Sequence, residues 1–316
     1  MTPAQTSQWI KQKAQELGFV HAGISKVRKL DEESDRLQDW LSKGFHGDME
    51  YMARNQSLRL DPSQLVPGAQ SVISLAYNYY QPMPHKEGLP KISMYARGRD
   101  YHKILKKKLK IFWKIIQSEL DHEVTGRYFV DSAPVMERQW AVLGGLGWQG
   151  KNTLLINPRS GSYFFLAEII SSLDLAEDQA IADHCGTCTR CIDACPTKAI
   201  VPGGYVLKAD QCISYLTIET KKDIPESLRE QMGDWVFGCD ICQQVCPWNR
   251  FSTPHGDIDL LPLTNFESWS AQDWNQLDQH QFDTHFGHTP VKRAGLDKLQ
   301  RSIKSQQENK NVKGGS

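Results

Sequence analysis

All eight cysteines of this 316-residue chain lie between Cys185 and Cys246. Cysteines that serve only as core side chains would be scattered, and a disulfide scaffold is typical of short secreted chains. The N-terminus has neither an apolar signal segment nor twin arginines, so we expect a cytoplasmic protein. In that compartment, clustered cysteines indicate metal or redox centres. The cysteine-rich segment, residues 183–249, must therefore fold around such centres.

The cysteines form two runs with the spacing of bacterial ferredoxins, Cys-x2-Cys-x2-Cys-x3-Cys-Pro. The first run is complete and consists of Cys185, Cys188, Cys191 and Cys195, followed by Pro196. The second run consists of Cys239, Cys242 and Cys246, followed by Pro247. Val236 stands at the place of its first cysteine, and Cys212, the remaining cysteine, can supply the missing ligand.

In two-cluster ferredoxins the fourth cysteine of each run binds the other run's cluster, which predicts two quartets of ligands. The first quartet is Cys185, Cys188, Cys191 and Cys246, and the second quartet is Cys195, Cys212, Cys239 and Cys242. A pair of zinc sites is the alternative, because Cys-x2-Cys pairs also bind zinc. The x2, x2 spacing and the trailing proline favour two 4Fe-4S clusters.

The remainder of the chain predicts an α+β fold. Apolar runs predict buried strands over residues 71–80 and 163–170, and helical periodicity predicts an amphipathic helix over residues 100–120. A strand over residues 128–130 ends on Asp131, and a helix is expected over residues 134–143. The predicted order is an N-terminal α/β domain (1–175), a ferredoxin-like domain with two clusters (176–255) and a short helical extension (256–316). We expect disorder in residues 309–316.

Charge is balanced, with 37 basic and 37 acidic residues. This balance excludes a uniformly basic nucleic-acid-binding protein but leaves room for a local basic surface. The outer face of the predicted helix over residues 100–120 carries Lys103, Lys106, Lys107, Lys110 and Lys114. A solvated helix face and a track for nucleic-acid phosphates are both open interpretations.

Two short features carry weaker signals. Gly145, Gly150 and Lys151 nearly match a phosphate-binding loop, but Asn152 lacks the hydroxyl that would bind Mg²⁺, and a tight turn is an equally good interpretation. Asp131, at the end of a buried strand, could have a raised pKa and act as a proton donor, or it could cap a helix.

One motif is absent. Many corrinoid proteins supply a histidine to the lower face of the cofactor through Asp-x-His-x2-Gly. The two nearest matches, Asp100-Tyr-His102 and Asp283-Thr-His285, both lack the glycine. The sequence therefore predicts no histidine ligand of this kind.

Seven segments of the chain resemble those of one known family. They are residues 45–54, 95–103, 129–138, 145–151, 161–165, 212–219 and 238–250, and they include Phe129-Val-Asp-Ser-Ala-Pro-Val-Met-Glu-Arg138. In these segments the chain closely resembles epoxyqueuosine reductase. That family is related to the corrinoid reductive dehalogenases and holds cobalamin base-off, which agrees with the absent histidine motif. The resemblance implies the last step of queuosine synthesis, reduction of epoxyqueuosine at the wobble position of tRNA.

The resemblance also implies roles for single residues. Asp131 would donate a proton to the substrate oxygen and lie beside the cobalamin. The other residues expected near cobalamin are Arg54, Lys151, Asn152, Ser214, Lys221, Cys239 and Asp240. Lys222 is expected to contact tRNA. The N-terminal domain would bind the cobalamin, and the two clusters would pass electrons to it.

The implied partners are tRNA bearing epoxyqueuosine and a low-potential electron donor such as a flavodoxin or ferredoxin, and we expect a monomer that does not bind a membrane. Many members of the family continue into a C-terminal helical-repeat module that helps bind tRNA, whereas this chain ends soon after residues 291–295. The basic helix would then carry more of the binding. Two alternatives are a reductive dehalogenase-like oxidoreductase and a non-catalytic iron–sulfur electron-transfer protein.

Overall fold

The structure, a computed structural model, describes residues 1–83, 85–120 and 123–314. Its helices are α1 (Pro3–Glu16), α2 (Asp31–Ser42), α3 (Gln56–Leu60), α4 (Pro62–Leu65), α5 (Tyr101–Glu119), α6 (Glu137–Leu143), α7 (Arg190–Asp193), α8 (Ile213–Ile218), α9 (Glu226–Arg229), α10 (Ile241–Gln244), α11 (Ala271–Asn275), α12 (Gln279–Phe286) and α13 (Leu296–Gly314). Its strands are β1 (His21–Lys26), β2 (Ser71–Asn78), β3 (Lys91–Ile92), β4 (Gly126–Phe129), β5 (Trp148–Gln149), β6 (Leu155–Ile156), β7 (Phe164–Ser171) and β8 (Trp235–Phe237). The predicted α+β class is confirmed.

A four-stranded antiparallel sheet, in the order β1-β2-β7-β4, forms the centre of the N-terminal half. β2 and β7 pair from Ser71 opposite Ser171 to Asn78 opposite Phe164. Alternate side chains of a strand point to opposite faces, and here both faces are covered, so β2 is buried as far as Tyr77. Helices α1 and α5 pack on one face, and α6 packs on the other.

Helix α5 is positioned by its N-terminal cap and its apolar stripe. The Asp100 carboxylate accepts a hydrogen bond from the backbone N–H of His102 at 3.1 Å, which ends the preceding loop and starts the helix. The buried stripe recurs every three or four residues and consists of Leu105, Leu109, Phe112 and Ile116. Packing of this stripe on the sheet leaves the lysine face exposed and places His102 close to the end of β4.

Asp131 lies two residues beyond the C-terminal end of β4, in an antiparallel sheet. Two predictions about the fold are wrong in detail. α6 begins at Glu137 because residues 131–136 form a tight loop in which Ser132 donates its N–H to the Val130 carbonyl at 2.6 Å. Residues 309–314 belong to α13, where the Asn309 side chain donates to the Arg229 carbonyl. Residues 315 and 316 lie outside the described residues.

The C-terminal helices pack on the cysteine-rich segment rather than forming a separate core. Phe266, Trp274 and Phe286 share a buried cluster with Val236 and Phe237. β3 pairs in parallel with β8, so the N-terminal half and the cysteine-rich segment also share a small sheet. The boundaries at 175/176 and 255/256 remain predictions, and contacts cross both of them.

None of the helices in the described part of the chain combines the length and the apolar composition that a membrane crossing requires.

Candidate active site

Asp131 lies in the loop between β4 and α6 in a left-handed backbone conformation, with φ of 57°. Non-glycine residues rarely adopt this conformation, because it costs about 1–3 kcal/mol and persists only where the surrounding structure holds it. Here the Glu137 side chain enforces it, because its Oε1 accepts a hydrogen bond from the Asp131 N–H at 2.6 Å. The first residue of α6 therefore holds the loop.

The Asp131 side chain joins a hydrogen-bonded chain of three ionisable groups. His102 Nε2 is 2.9 Å from Asp131 Oδ2, and His102 Nδ1 is 2.7 Å from Asp100 Oδ1. The Tyr101 hydroxyl also donates to Asp131 Oδ2, at 3.2 Å. Since each ring nitrogen of His102 faces a carboxylate, the doubly protonated imidazolium is the form that satisfies both contacts.

The pKa values of Asp131 and His102 place the proton that they share on His102. Burial opposes a charge on His102, but the hydrogen bonds to Asp100 and Asp131 raise its pKa to about 9. The same hydrogen bond from His102, working against burial, lowers the pKa of Asp131. The predicted raised pKa of Asp131 is therefore wrong, because the sequence alone does not reveal that a histidine lies beside it.

Two carboxyl groups lie behind Asp131, the completely buried Glu168 of β7 and the half-buried Glu137. Burial together with the charge of Glu137 raises the pKa of Glu168 well above the usual value. Burial and the charge of Asp131 also raise the pKa of Glu137. Because two adjacent carboxylates repel each other, Glu168 holds a proton while Glu137 accepts the Asp131 N–H.

A cavity of about 240 Å³ opens beside Asp131. Five of its thirteen lining residues are aromatic, and the ring of Tyr101 stacks on that of Phe165 with centroids 4.0 Å apart. Gln243 also lines the cavity, and its Nε2 donates to the Ser162 carbonyl at 3.1 Å. Because Gln243 directly follows Cys242, the cavity lies between the N-terminal sheet and the second cysteine run.

The four cysteines of the first quartet line one cavity: Cys185, Cys188, Cys191 and Cys246. Burial, and then the charges of Cys185 and Cys246, raise the pKa of Cys191 to about 11, so the thiols from the two runs interact. In the described residues, no three His, Cys, Asp or Glu side chains are spaced to hold a single metal ion. A cavity lined by four thiols fits a 4Fe-4S cluster, which Cys₄ ligation holds.

The thiols of the second quartet also interact with one another. Burial raises the pKa of Cys239, and the charges of Cys212 and Cys195 act in the same direction. The pKa of Cys242 is likewise raised by burial and by the charges of Cys239 and Cys212. The start of α8 directs the backbone N–H groups of Ser214 and Tyr215 to the Cys212 sulfur, which suits a cluster thiolate. All eight cysteines are free of disulfides.

Lys151 and Asn152, expected near cobalamin, bind the cysteine loops. Lys151 Nζ donates to the carbonyls of Gly186, at 2.6 Å, and Cys188, at 3.1 Å. Asn152 is buried, and its Nδ2 donates to the Cys242 carbonyl at 3.4 Å. The glycine-rich segment before them therefore connects the N-terminal half to both cysteine runs, and the lysine of the phosphate-loop interpretation is occupied.

The buried carboxylate of Asp240 also has protein partners. It accepts hydrogen bonds from the Ser93 hydroxyl and from the Met94 N–H, the latter at 2.8 Å. It thus fixes the turn after β3, and these two bonds direct its oxygens to that turn. Cys239, expected both as a ligand and near cobalamin, lies in the second quartet.

The remaining predicted residues, Arg54, Ser214, Lys221 and Lys222, lie where residues 45–54 pack on residues 209–222. The Tyr215 hydroxyl accepts the Asp48 N–H at 2.6 Å, which joins the two segments. Asp48 also accepts the Lys221 N–H at 3.1 Å and lies 3.3 Å from Lys222 Nζ. Arg54 is exposed.

Sequence reasoning missed several residues whose charges act near Asp131. Arg293 pairs with Glu219 through both carboxylate oxygens, and the charges of Glu219, Asp131 and Arg293 all act on the Tyr51 hydroxyl. These groups come from four distant segments, and no sequence signal unites them. Asp100-Tyr-His102 was visible only as an incomplete corrinoid motif, although its spacing places an acid and a histidine at one helix N-terminus.

Two cysteine quartets beside a cavity that contains an acid and a charged histidine are typical of an iron–sulfur oxidoreductase. Two family models match the chain: "4Fe-4S double cluster binding domain" over residues 184–249 and "Epoxyqueuosine reductase QueG, DUF1730" over residues 59–132. The Cyclobacterium marinum epoxyqueuosine reductase is 50% identical over 300 residues, covering 94% of this chain and 95% of that protein. The Escherichia coli enzyme is 41% identical over 298 residues, covering 90% and 78%.

Solved structures agree. A crystal structure of epoxyqueuosine reductase with an epoxyqueuosine-modified tRNA-Tyr stem loop matches with a TM-score of 0.85 at 30% identity, covering 96% of this chain and 81% of that one. The Bacillus subtilis enzyme matches with a TM-score of 0.87 at 28% identity, covering 96% and 82%. The chain belongs to the epoxyqueuosine reductase family and is an oxidoreductase with a double 4Fe-4S cluster domain.

Paired cysteine substitutions test the two quartets. Cys188→Ser with Cys246→Ser removes two ligands of one quartet, so we expect about half of the bound iron to remain. Cys188→Ser with Cys195→Ser removes one ligand from each quartet, and we expect nearly all iron to be lost. Iron and acid-labile sulfide content of anaerobically reconstituted protein is the measurement. If the two double variants give the reverse result, each run binds its own cluster and the crossed assignment is wrong.

Proposed function

We propose that this protein reduces epoxyqueuosine to queuosine at the wobble position of tRNA, with electrons that pass through the two 4Fe-4S clusters to a base-off cobalamin and with Asp131 delivering a proton. The observation that carries the proposal is the Asp131–His102 pair at the mouth of a cavity beside the second quartet. The similar structure that contains an epoxyqueuosine-modified stem loop supports tRNA as the substrate. The cytoplasmic location and the monomeric state remain predictions.

His102 would not serve as a ligand to the cobalt of a bound cobalamin. Both ring nitrogens of His102 are hydrogen-bonded to carboxylates, so this histidine has no nitrogen free for a metal. Arg54, Ser214 and Lys221 would hold the cofactor, with Cys239 of the second quartet adjacent; Lys151, Asn152 and Asp240 would act through the segments that they anchor. When bound, cobalamin supplies a strongly reducing, nucleophilic centre.

Removal of the epoxide oxygen consumes two electrons and two protons and releases water. The developing alkoxide needs a proton at the moment the C–O bond breaks. Asp131 is ionised in the described state, so it delivers the proton that His102 Nε2 holds against Asp131 Oδ2. Asp100 keeps His102 oriented and charged, and the Tyr101 hydroxyl fixes the same Asp131 oxygen.

Asp131→Asn tests the proton delivery. The variant retains the size of the side chain but cannot pass on a proton, so we expect kcat to fall by about 10²–10⁴-fold. Cluster and cobalamin absorbance, and the EPR signal of added cobalamin, should be unchanged. Asp283→Asn, on α12, is the matched control and should retain full activity. Normal reduction of epoxyqueuosine-tRNA by Asp131→Asn would show that Asp131 is not the donor.

His102→Gln tests the source of the proton through the pH profile. The pKa of His102 is raised to about 9, so its proton is present below that pH and lost above it. We expect kcat of the unmodified enzyme to fall as pH rises through about 9. Gln retains a donor toward Asp131 but does not titrate, so the variant should be slow and lack this alkaline limb. A limb near pH 9 that persists in the variant would assign it to another group.

The exposed lysine face of α5 provides a surface for the tRNA phosphates. Lys103, Lys106, Lys107, Lys110 and Lys114 are exposed along the outer side of the helix, whose first turn contains His102. A cationic track that begins at the cavity can hold a polyanion whose modified base enters it. Lys222, although paired with Asp48, is also highly exposed.

Neutralising two of these lysines tests the surface. Lys106→Gln with Lys110→Gln should weaken tRNA binding and reduce the slope of log Kd against log salt by about 1 for each lysine. Lys13→Gln, on α1, is the matched control. Filter binding or anisotropy with an anticodon stem loop at several salt concentrations is the measurement. An unchanged slope would mean that this face is only solvated.

A further inference from the structure

We propose that a groove over the first quartet is the docking site for a small acidic protein carrying a low-potential one-electron centre, and that electrons enter the enzyme there. The groove has a volume of about 1060 Å³ and is lined by Arg190, Asp193, Cys246, Asn249 and Arg250, among others. The inference rests on the proposed function, because it concerns the supply of electrons to that site. It adds the place and the chemistry of the partner.

Cys246 connects the first quartet to the groove. All eight cysteines are partly exposed. Cys246 is the cysteine that lines the groove, and it also lines the cavity of the first quartet with Cys185, Cys188 and Cys191. A protein partner in the groove would therefore contact the first quartet.

The groove and the Asp131 cavity adjoin along four segments of the chain. Each segment contributes one residue to the cavity and the next residue, or the one before it, to the groove. These neighbouring pairs, cavity residue first, are Tyr79 and Tyr80, Tyr95 and Met94, Ser162 and Tyr163, and Gln243 and Gln244. A partner in the groove would therefore lie close to the cavity that contains Asp131.

The charge of the groove selects an acidic partner. Arg190 and Arg250 are both exposed at its edge, and the Arg250 guanidinium lies 4.4 Å from the Phe251 ring centroid. Asp193, the acidic side chain in the lining, accepts a hydrogen bond from the Thr189 hydroxyl at 2.7 Å and so faces its own loop. Complementary charge of this kind accelerates encounter more than it tightens binding.

The electron count agrees with a one-electron partner. Conversion of one epoxide to an alkene and water takes up two electrons and two protons. Two successive encounters, each oxidising one carrier molecule by one electron, would supply the electrons. The first quartet would hold the cluster that accepts each electron, and the second quartet would hold the cluster to which that electron passes.

Charge reversal tests the groove. Arg190→Glu with Arg250→Glu should slow the reduction of the clusters by reduced flavodoxin at low salt by about tenfold or more, and added salt should diminish the difference. Stopped-flow bleaching of cluster absorbance, without tRNA, is the measurement. Turnover driven by dithionite should be unchanged, because a small reductant needs no docking site. Lys29→Glu with Lys43→Glu, at exposed positions outside the groove, makes the same change in overall charge and is the control.

The outcomes separate this inference from the proposed function. Cluster reduction is measured without substrate, so it succeeds or fails independently of the epoxide reaction. An unchanged rate with flavodoxin overturns the inference, as does a rise in KM for tRNA with normal cluster reduction, which would assign the groove to nucleic acid. If Arg190→Glu, next to Cys191, lowers iron content, Arg250→Glu alone provides the test.

Discussion

The packing of the second cysteine run on the first is the constraint on which the rest of the molecule depends. Cys246 lies in the cavity lined by Cys185, Cys188 and Cys191, as crossed sharing of ligands would require, so the second run folds back on the first. That return brings Gln243 to the N-terminal sheet, where it lines the Asp131 cavity. Its neighbour Gln244 lines the groove. One packing arrangement thus positions the cysteine quartets, the cavity and the groove.

Proton delivery depends on a second, independent device, the N-terminal cap of α5. Asp100 caps the helix through the His102 N–H and also holds the His102 ring. The residue that begins the helix therefore also charges the histidine beside Asp131. Because the lysine face belongs to the same helix, a change at Asp100 would affect the proton and the orientation of the basic surface together. Electrons and protons arrive through different parts of the chain and meet at the cavity.

Cysteine spacing predicted the first quartet, whose four members line one cavity, because cluster ligation requires short, fixed intervals between cysteines. The stripe Leu105, Leu109, Phe112 and Ile116 was likewise readable, since helical burial repeats every three to four residues. The pairing of His102 with Asp131 was not, because it joins the start of α5 to the end of β4 across a sheet whose strand order no periodicity encodes. For the same reason Asp131 had the wrong predicted pKa: a carboxyl group takes its pKa from neighbours in space.

The resemblance identified the family, which the similar proteins confirm, but it treated the residues expected near cobalamin as one set. In the structure they separate by what they already bind. Asp240 and Lys151 are committed to protein carbonyls, hydroxyls and N–H groups, whereas Arg54 is exposed. A group whose hydrogen bonds are satisfied by protein can contribute to a cofactor site only by fixing the segment that carries it. Residues that belong to one motif therefore divide into those available to a ligand and those that build its surroundings.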